Sequence, residues 1–145
     1  FKTVIPLPLM HNYALFTLIS MISTGGTAIL LDEPAPEVLL DAIDRHSARM
    51  AISTPTLAHS LAEAQARAPR RLAALSHINV SGDFVPLDLQ KRFNSVFGNR
   101  MRRTYGSSEM GPIAGELIGS VSASSLGFSF PGVEIRILDD HGRDV

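Results

Sequence analysis

Tyrosine, glycine, serine and glutamate fall together in one short stretch of this chain, Tyr105-Gly106-Ser107-Ser108-Glu109. Tyr105 offers a flat face to a base or ring, and Gly106 lets backbone approach a ligand closely. Ser107 and Ser108 carry hydroxyls suited to phosphate oxygens, and Glu109 carries a carboxylate suited to a hard cation such as Mg²⁺. The same five residues also make a plain polar turn closed by a capping serine. Residue types alone leave both readings open.

Three other stretches bring polar chemistry into an otherwise apolar chain: Met10-His11, Ser53-Thr54 and Ser81-Gly82-Asp83. Each has a bland reading beside the functional one. His11 suits a packed or capping position before an apolar helix, and Asp83 suits the cap of the helix that Pro86 opens. The other histidines, His46, His59, His77 and His141, lack metal-ligand spacing, and no cysteine is present. No GxGxxG and no GxxxxGK followed by Ser or Thr occurs, so no glycine-rich phosphate cradle is encoded here.

Composition narrows the class. The 145 residues are 45% hydrophobic and 19% charged with a net charge of −1, which is ordinary globular material. Such a balance argues against a nucleic-acid surface, and the densest basic stretch, Arg100, Arg102 and Arg103, is short. Residues 4–31 are strongly apolar, but Pro6, Pro8, His11, Asn12, Gly25 and Gly26 interrupt them. A spanning helix needs about 20 unbroken apolar residues, so no membrane span is expected. With no signal peptide read and no disulfide framework, a soluble cytoplasmic protein is expected.

The elements that must position these groups follow from periodicity. Strands are expected at Thr3–Leu9, Thr27–Leu31, Arg49–Ser53, His77–Ser81 and Arg100–Tyr105. Between them, helices are expected at Tyr13–Ile22, from Pro36 to about His46, from Pro55 to about Arg67, and from Pro86 to Gly98. A further short helix is expected at Arg71–Leu75. Pro36 and Pro55 suit first helical turns, Glu37 and Arg45 suit the dipole at either end of their helix, and Thr54 is a cap. Alternation of strand and helix predicts an α/β fold with a mostly parallel sheet flanked by helices. In open parallel sheets ligands bind beyond the carboxyl ends of the strands. All four polar stretches lie just past expected strand ends. If those strands are neighbours, the stretches converge on one crevice.

The tail differs. Residues 111–132 are rich in Gly and Ser without periodicity, while Val133–Leu138 alternates like an antiparallel strand entering a turn at Asp140-His141-Gly142. The expected division is an α/β lobe over residues 1–110 and the start of a β-rich segment over 111–145.

These residues resemble the adenylate-forming superfamily, which includes acyl-CoA synthetases, luciferases and peptide-synthetase adenylation domains. Tyr105 to Glu109 resembles its Tyr-Gly-x-Thr-Glu motif. Leu7-Pro8-Leu9-Met10-His11 through Ala14 resembles its Pro-Leu-Phe-His-x-x-Gly segment. Gly82-Asp83 with Pro86 falls where the family has a Gly-Gly-Glu or Gly-Ala-Pro turn. Ser125-Leu126-Gly127 through Phe130-Pro131-Gly132, with the strand and Asp-Gly turn after it, is similar to the family's Gly-Ser-Val-Gly-x-Pro-x-Pro-Gly segment. The four motifs stand in family order and cover essentially the whole chain.

The resemblance implies a flavodoxin-like lobe of the adenylate-forming fold, and an enzyme of the acyl-CoA synthetase type. Such an enzyme joins a carboxylic acid to ATP and passes the acyl group to a thiol, commonly CoA. It implies that Tyr105 stacks on adenine, that Gly82, Asp83 and Phe84 line the adenine side, and that Gly106 and Ser107 border the nucleotide. Ser108 would bind phosphate, Glu109 would coordinate Mg²⁺, and His11, Tyr13, Ser81 and Gly106 would border the acyl pocket. Met10 replaces the usual aromatic, Ala14 replaces Gly, Ser108 replaces Thr and Ser129 replaces Pro. The family's upstream phosphate loop, its ribose-binding Asp motif and its catalytic Lys lie outside this chain, so turnover by these residues alone is not expected. Met10-His11, and the lack of a Gly-Pro-Thr-Glu form, favour a CoA ligase over a peptide-synthetase domain. A catalytically inactive binding lobe of the same fold is the competing reading from another class, and a flavodoxin-like nucleotide sensor is a third.

A piece of a larger domain exposes apolar surface, here expected around Tyr13 to Ile22, and self-associates. Sedimentation of the 145-residue chain is expected to show concentration-dependent association. A sharply monomeric species with a cooperative melt would refute this.

Overall fold

The computed structural model describes residues 1–116 and 125–145. Its elements follow the chain as β1 (Lys2–Ile5), α1 (Asn12–Ser23), β2 (Thr27–Leu30), α2 (Pro36–His46), β3 (Met50–Ser53) and α3 (Pro55–Arg67). They continue as β4 (His77–Val80), α4 (Leu87–Phe97), β5 (Met101–Ser107), β6 (Gly111–Gly115) and β7 (Phe128–Ser129). Among the described residues the strands form one seven-stranded sheet in the order β2-β1-β3-β4-β5-β6-β7. The first five are parallel, and β6 and β7 add antiparallel at one edge. The parallel part has the flavodoxin-like order 2-1-3-4-5, whose winding reverses between β1 and β3.

Local signals explain the helices. Pro36 occupies the first turn of α2, and Ser47 ends it in a left-handed conformation. Thr54 caps α3 by accepting a hydrogen bond from the Leu57 amide at 3.3 Å. Gly98 stops α4. Helices α2, α3 and α4 pack side by side. Their apolar stripes, including Leu39, Leu40, Leu61 and Phe93, meet Val4, Ala51, Ile78 and Val80 of the sheet, all 0% exposed. Burying each larger side chain contributes roughly 1.5–3 kcal/mol. Successive strand residues point to opposite faces, so Ile5 and Ile52 turn the other way and meet Ala14 of α1.

Among the described residues, helix α1 is the one helix on its face of the sheet. Leu15, Phe16, Ile19 and Ile22 stay 41%, 45%, 50% and 72% exposed, as its all-round apolar sequence leads one to expect. Among the described residues no helix is long and apolar enough to cross a membrane.

The structure departs from the sequence expectations at four places. The first strand ends at Ile5 rather than Leu9, because Pro6 and Pro8 cannot donate to a ladder and the chain turns from Pro8 to His11. Residues 71–75 form a turn rather than a helix. Leu72 takes φ 37°, which lets both Leu72 and Leu75 bury under α3. Residues 133–138 form no ladder strand; Leu138 makes only an isolated bridge to Asp144 around the Asp140-His141-Gly142 turn. Last, Gly111–Gly115 is a strand that its sequence hides. It pairs tightly with β5, and a register shift falls at Tyr105/Gly106. Part of the Gly/Ser-rich stretch, residues 117–124, lies outside the described residues.

Gly106 is where this hairpin is tightest. A Cβ there would lie 2.5 Å from the Gly111 carbonyl oxygen and 3.1 Å from the Pro112 Cα. Both are backbone atoms that cannot swing away. Gly106→Ala is therefore expected to destabilise the protein by about 1–3 kcal/mol through overpacking. Denaturant melts read this directly, and an unchanged midpoint would show that the strands separate at no cost.

Candidate functional site

Parallel pairing puts the carboxyl ends of β1, β3, β4 and β5 at one edge of the sheet, and two cavities open there. The first, about 820 Å³, lies between the loop after β4 and the end of β5. Val80, Val85 and Leu87 give it an apolar wall; Gly82, Asp83 and Phe84 form one rim and Tyr105 another. Phe84 and Tyr105 hold 80% and 52% of their surface in solvent, so two rings border an open, flat-sided space. Gly82 sits at φ +97° with open space beside it, and its backbone faces that space without a side chain.

The second cavity, about 660 Å³, lies between α1 and the sheet. Tyr13, Phe16, Met21 and Met50 supply apolar surface, and His11, Ser107 and Ser108 also line it. The Tyr13 hydroxyl donates to the Asn79 carbonyl oxygen at 2.8 Å, and burial pushes its pKa far above the ordinary tyrosine range. It is a fixed neutral donor.

Ser81, Gly82, Thr104 and Gly106 line both cavities. The Ser81 hydroxyl donates to the Thr104 carbonyl oxygen at 2.7 Å, which stitches the ends of β4 and β5 together at this common wall. Across the edge, the Asn12 carboxamide donates to the Ser108 carbonyl oxygen at 3.0 Å and ties the start of α1 to the β5–β6 tip.

The sequence-predicted residues are thus brought to one edge, with their local roles now visible. Gly82, Asp83, Phe84, Tyr105 and Gly106 line the first cavity, and His11, Tyr13, Ser81 and Gly106 line the second. Ser107 and Ser108, read as nucleotide contacts, line the second cavity, and Ser107 accepts from the Met110 amide at 3.2 Å as a capping serine does. Glu109 stands exposed at the tip and lines neither. Asp83 does not cap α4; its carboxylate accepts from the Phe84 amide at 2.7 Å. His11 occupies the cap position of α1 but makes no side-chain cap bond. Ser53 is buried behind the edge, while Thr54 reaches the second cavity.

Sequence reasoning missed Asn79, Thr104 and Arg103. Asn79 was legible as a polar residue inside an apolar strand, between Ile78 and Val80. Arg103 was grouped with a basic stretch, yet the structure turns it inward. Its guanidinium meets Glu116 at 2.5 Å with the two side chains 7% and 8% exposed, and it also donates to the Ser125 carbonyl oxygen at 2.7 Å. The Glu116 carboxylate accepts from the Arg103 amide at 2.7 Å as well. Arg102 folds back on the carbonyl oxygens of Asn99 and Met101. Among the described residues no group of three or more His, Cys, Asp or Glu is placed to hold a metal.

A doubly wound sheet whose carboxyl edge opens on two joined clefts defines an α/β fold of the class that takes ligands at that edge. All of residues 1–145 match the family described as AMP-binding enzyme, and the chain belongs to that family. It is 29% identical over 134 residues to a benzoate–CoA ligase of Thauera aromatica, covering 88% of this chain and 25% of that protein. With a 4-coumarate–CoA ligase-like protein of rice (Oryza sativa subsp. japonica) it shares 28% identity over 142 residues, 94% of this chain and 24% of the relative. Among solved structures, an amide bond synthetase of Marinactinospora thermotolerans superposes with a TM-score of 0.87 at 27% identity, over 100% of this chain and 30% of that one. The O-succinylbenzoate coenzyme A synthetase of Bacillus subtilis, solved in complex with AMP, gives 0.85 at 25% identity over 99% and 30%. The chain spans about a quarter of the length of the curated relatives it matches.

The Arg103–Glu116 pair gives a direct test of the cavity wall. Glu116→Ala leaves a buried guanidinium without its carboxylate and is expected to cost about 3–5 kcal/mol, whereas the double change Arg103→Met with Glu116→Leu is expected to cost much less. Chemical denaturation of the three proteins decides it. Equal losses in the single and double variants would mean the pair acts only as packing volume.

Proposed function

We propose that this chain supplies the nucleotide- and acid-binding lobe of an ATP-dependent acid–thiol ligase that makes an acyl-adenylate and passes the acyl group to CoA. The observation that carries the reading is the wall of Ser81, Gly82, Thr104 and Gly106 shared by the two cavities. A nucleotide in the first and a carboxylic acid in the second would meet there, α-phosphorus against carboxylate. In this reading residues 1–110 are the α/β lobe and 111–145 begin a β-rich segment of a cytoplasmic enzyme. The CoA ligase names of the sequence relatives support the reaction class.

The roles are those the family resemblance implies, and the surroundings described above are compatible with them. Tyr105 stacks on the purine, and the backbone of Gly82 to Phe84 lines its other side. Gly106, having no side chain, leaves the junction open. Ser108 donates its hydroxyl to a phosphate oxygen, and the Asn12–Ser108 bond holds the tip against α1. Tyr13, His11 and Ser81 border the acid. Carboxylate oxygen attacks the α-phosphorus, the bond to the leaving phosphate breaks, and pyrophosphate departs; a thiol sulfur then displaces AMP from the acyl carbon. Holding the two substrates in register provides much of the acceleration.

Glu109 suits Mg²⁺ in one specific way. It is exposed, has no ion-pair partner among the described residues, and is a single carboxylate. Mg²⁺ is commonly held by one or two carboxylates together with substrate phosphates, so a lone Glu fits. The ion would neutralise charge on the phosphate oxygens.

Pyrophosphate release by the full-length gene product that carries this chain tests the reading, with Mg-ATP and a panel of aliphatic and aromatic acids, with and without CoA. Acid-dependent release is expected, falling on the order of a hundredfold or more in Glu109→Ala. Release that requires a carrier protein in place of CoA would redirect the acceptor to the peptide-synthetase type. A folded protein that releases none with any acid is an inactive binding lobe.

A further inference from the structure

Asn79 is the least expected residue in the second cavity. It lies inside β4, between Ile78 and Val80, in register with Ile52 on one side and Arg102 on the other, on the sheet face where Ile5 and the Tyr13 ring pack. Asparagine is disfavoured inside strands, and a polar group buried beside apolar neighbours costs free energy unless it is satisfied. Positions that break a local rule in this way mark function more often than accident.

Three of its polar contacts have an account, or lack one, in an informative way. The main-chain oxygen of Asn79 accepts from the Tyr13 hydroxyl at 2.8 Å. Its side-chain oxygen accepts from the Thr104 hydroxyl at 2.7 Å. Its side-chain nitrogen has no hydrogen-bond partner among the described residues, and it is not among the sealed, unsatisfied atoms of the interior. Asn79 lines the cavity, so both amide hydrogens are left for whatever fills it. Among the described residues the rest of the lining holds no Lys, Arg, Asp or Glu.

We infer that Asn79 is a specificity-determining residue, and that the acid taken by this cavity is a monocarboxylate whose apolar body carries a neutral hydrogen-bond acceptor. An ether, hydroxyl or carbonyl oxygen meets the description. A second carboxylate does not, since among the described residues no Lys or Arg lines the cavity to receive it. The strand fixes the spacing. Asn79 stands two residues before Ser81 at the junction of the cavities, about 7 Å along β4. A para substituent on a benzoic acid, or an oxygen at the far end of a six-carbon chain, spans that length; an ortho substituent does not.

This inference rests on the ligase reading for turnover but not for binding, and the test separates the two. Full-length enzyme is given size-matched acids: para-methoxybenzoate against para-ethylbenzoate, ortho-methoxybenzoate as the position control, and omega-hydroxyhexanoate against heptanoate. The wild type is expected to prefer the oxygen-bearing member of at least one matched pair by about tenfold or more in kcat/KM. The preference should vanish or reverse in Asn79→Leu. Asn79→Asp keeps the shape and the bond from Thr104 but removes both donor hydrogens, and it should lose the preference too. In parallel, NMR of the protein follows the Asn79 side-chain amide signals, expected to move with the oxygen-bearing acid and not with its partner.

Amide signals that move without any pyrophosphate release would leave the inference standing and remove the ligase. Turnover with no preference in the wild type, or with a preference that both variants retain, would overturn the role of Asn79 and leave the ligase. Acids that neither bind nor react would overturn both.

Discussion

The bond from the Ser81 hydroxyl to the Thr104 carbonyl, at 2.7 Å, is the constraint on which the site depends. Strands β4 and β5 pair in parallel only through Val80 and Arg103, and beyond that point the two chains diverge. One turns towards α4 and the other enters the β5–β6 hairpin. Without a tie the carboxyl ends would splay, and the wall common to both cavities would open. The tie is cheap in sequence terms, since one serine is enough. It is also strong in place, because a buried donor that lost its acceptor would be left unpaired at a cost of about 1–3 kcal/mol. A second layer backs it, in which the Thr104 hydroxyl reaches Asn79 and the Tyr13 hydroxyl reaches the same residue's backbone. The shared wall is therefore held at two successive levels on one face of β4.

How much of this was legible in the sequence depended on whether the signal was local. Capping residues, first-turn prolines and apolar periods are local, and α2, α3 and α4 stand where those signals put them, to within a residue or two. The polar stretches after the strands were legible through a rule about parallel sheets, not through their own chemistry. What stayed hidden was set by partners distant in the chain. Gly111–Gly115 has the composition of a loop and becomes a strand because β5 offers it a ladder. Arg103 looked like surface charge, since nothing nearby in the sequence announces that Glu116 will meet it. Val133–Leu138 carried the reverse error. Its alternation is a strand pattern, but among the described residues it finds no more than the isolated Leu138–Asp144 bridge, and Ile135 and Ile137 remain 51% and 72% exposed.

The two faces of the sheet show what different covers do to stability and to binding. On the face of α2 to α4, twenty buried residues form one continuous core. On the other, the buried cluster among the described residues is only Ile5, Ala14 and Ile52, which carries contact between α1 and the strands. Ala14 makes that contact possible, because a small side chain lets the helix sit close over Ile5 and Ile52. The second cavity opens beside this contact, where Tyr13, Phe16, Thr17 and Met21 line it from the helix. A face that was fully packed would have no room for a ligand. Thin packing and cavity are here one feature.

Charge placement sharpens what the edge can recognise. Arg103 lines the first cavity, but its guanidinium is already joined to Glu116 and to the Ser125 carbonyl, and Arg102 is folded onto carbonyl oxygens. A positive group engaged in this way serves as wall more than as anion receptor. The remaining chemistry at the shared wall is directional and neutral: hydroxyls, a carboxamide, bare glycine backbone and aromatic faces. Neutral groups of this kind bind weakly from afar, because they attract nothing by Coulomb's law across solvent. They discriminate well at contact, since each misplaced partner leaves a donor or acceptor unpaired. An edge built this way selects by shape and hydrogen-bond register, and leaves gross charge attraction to groups beyond it.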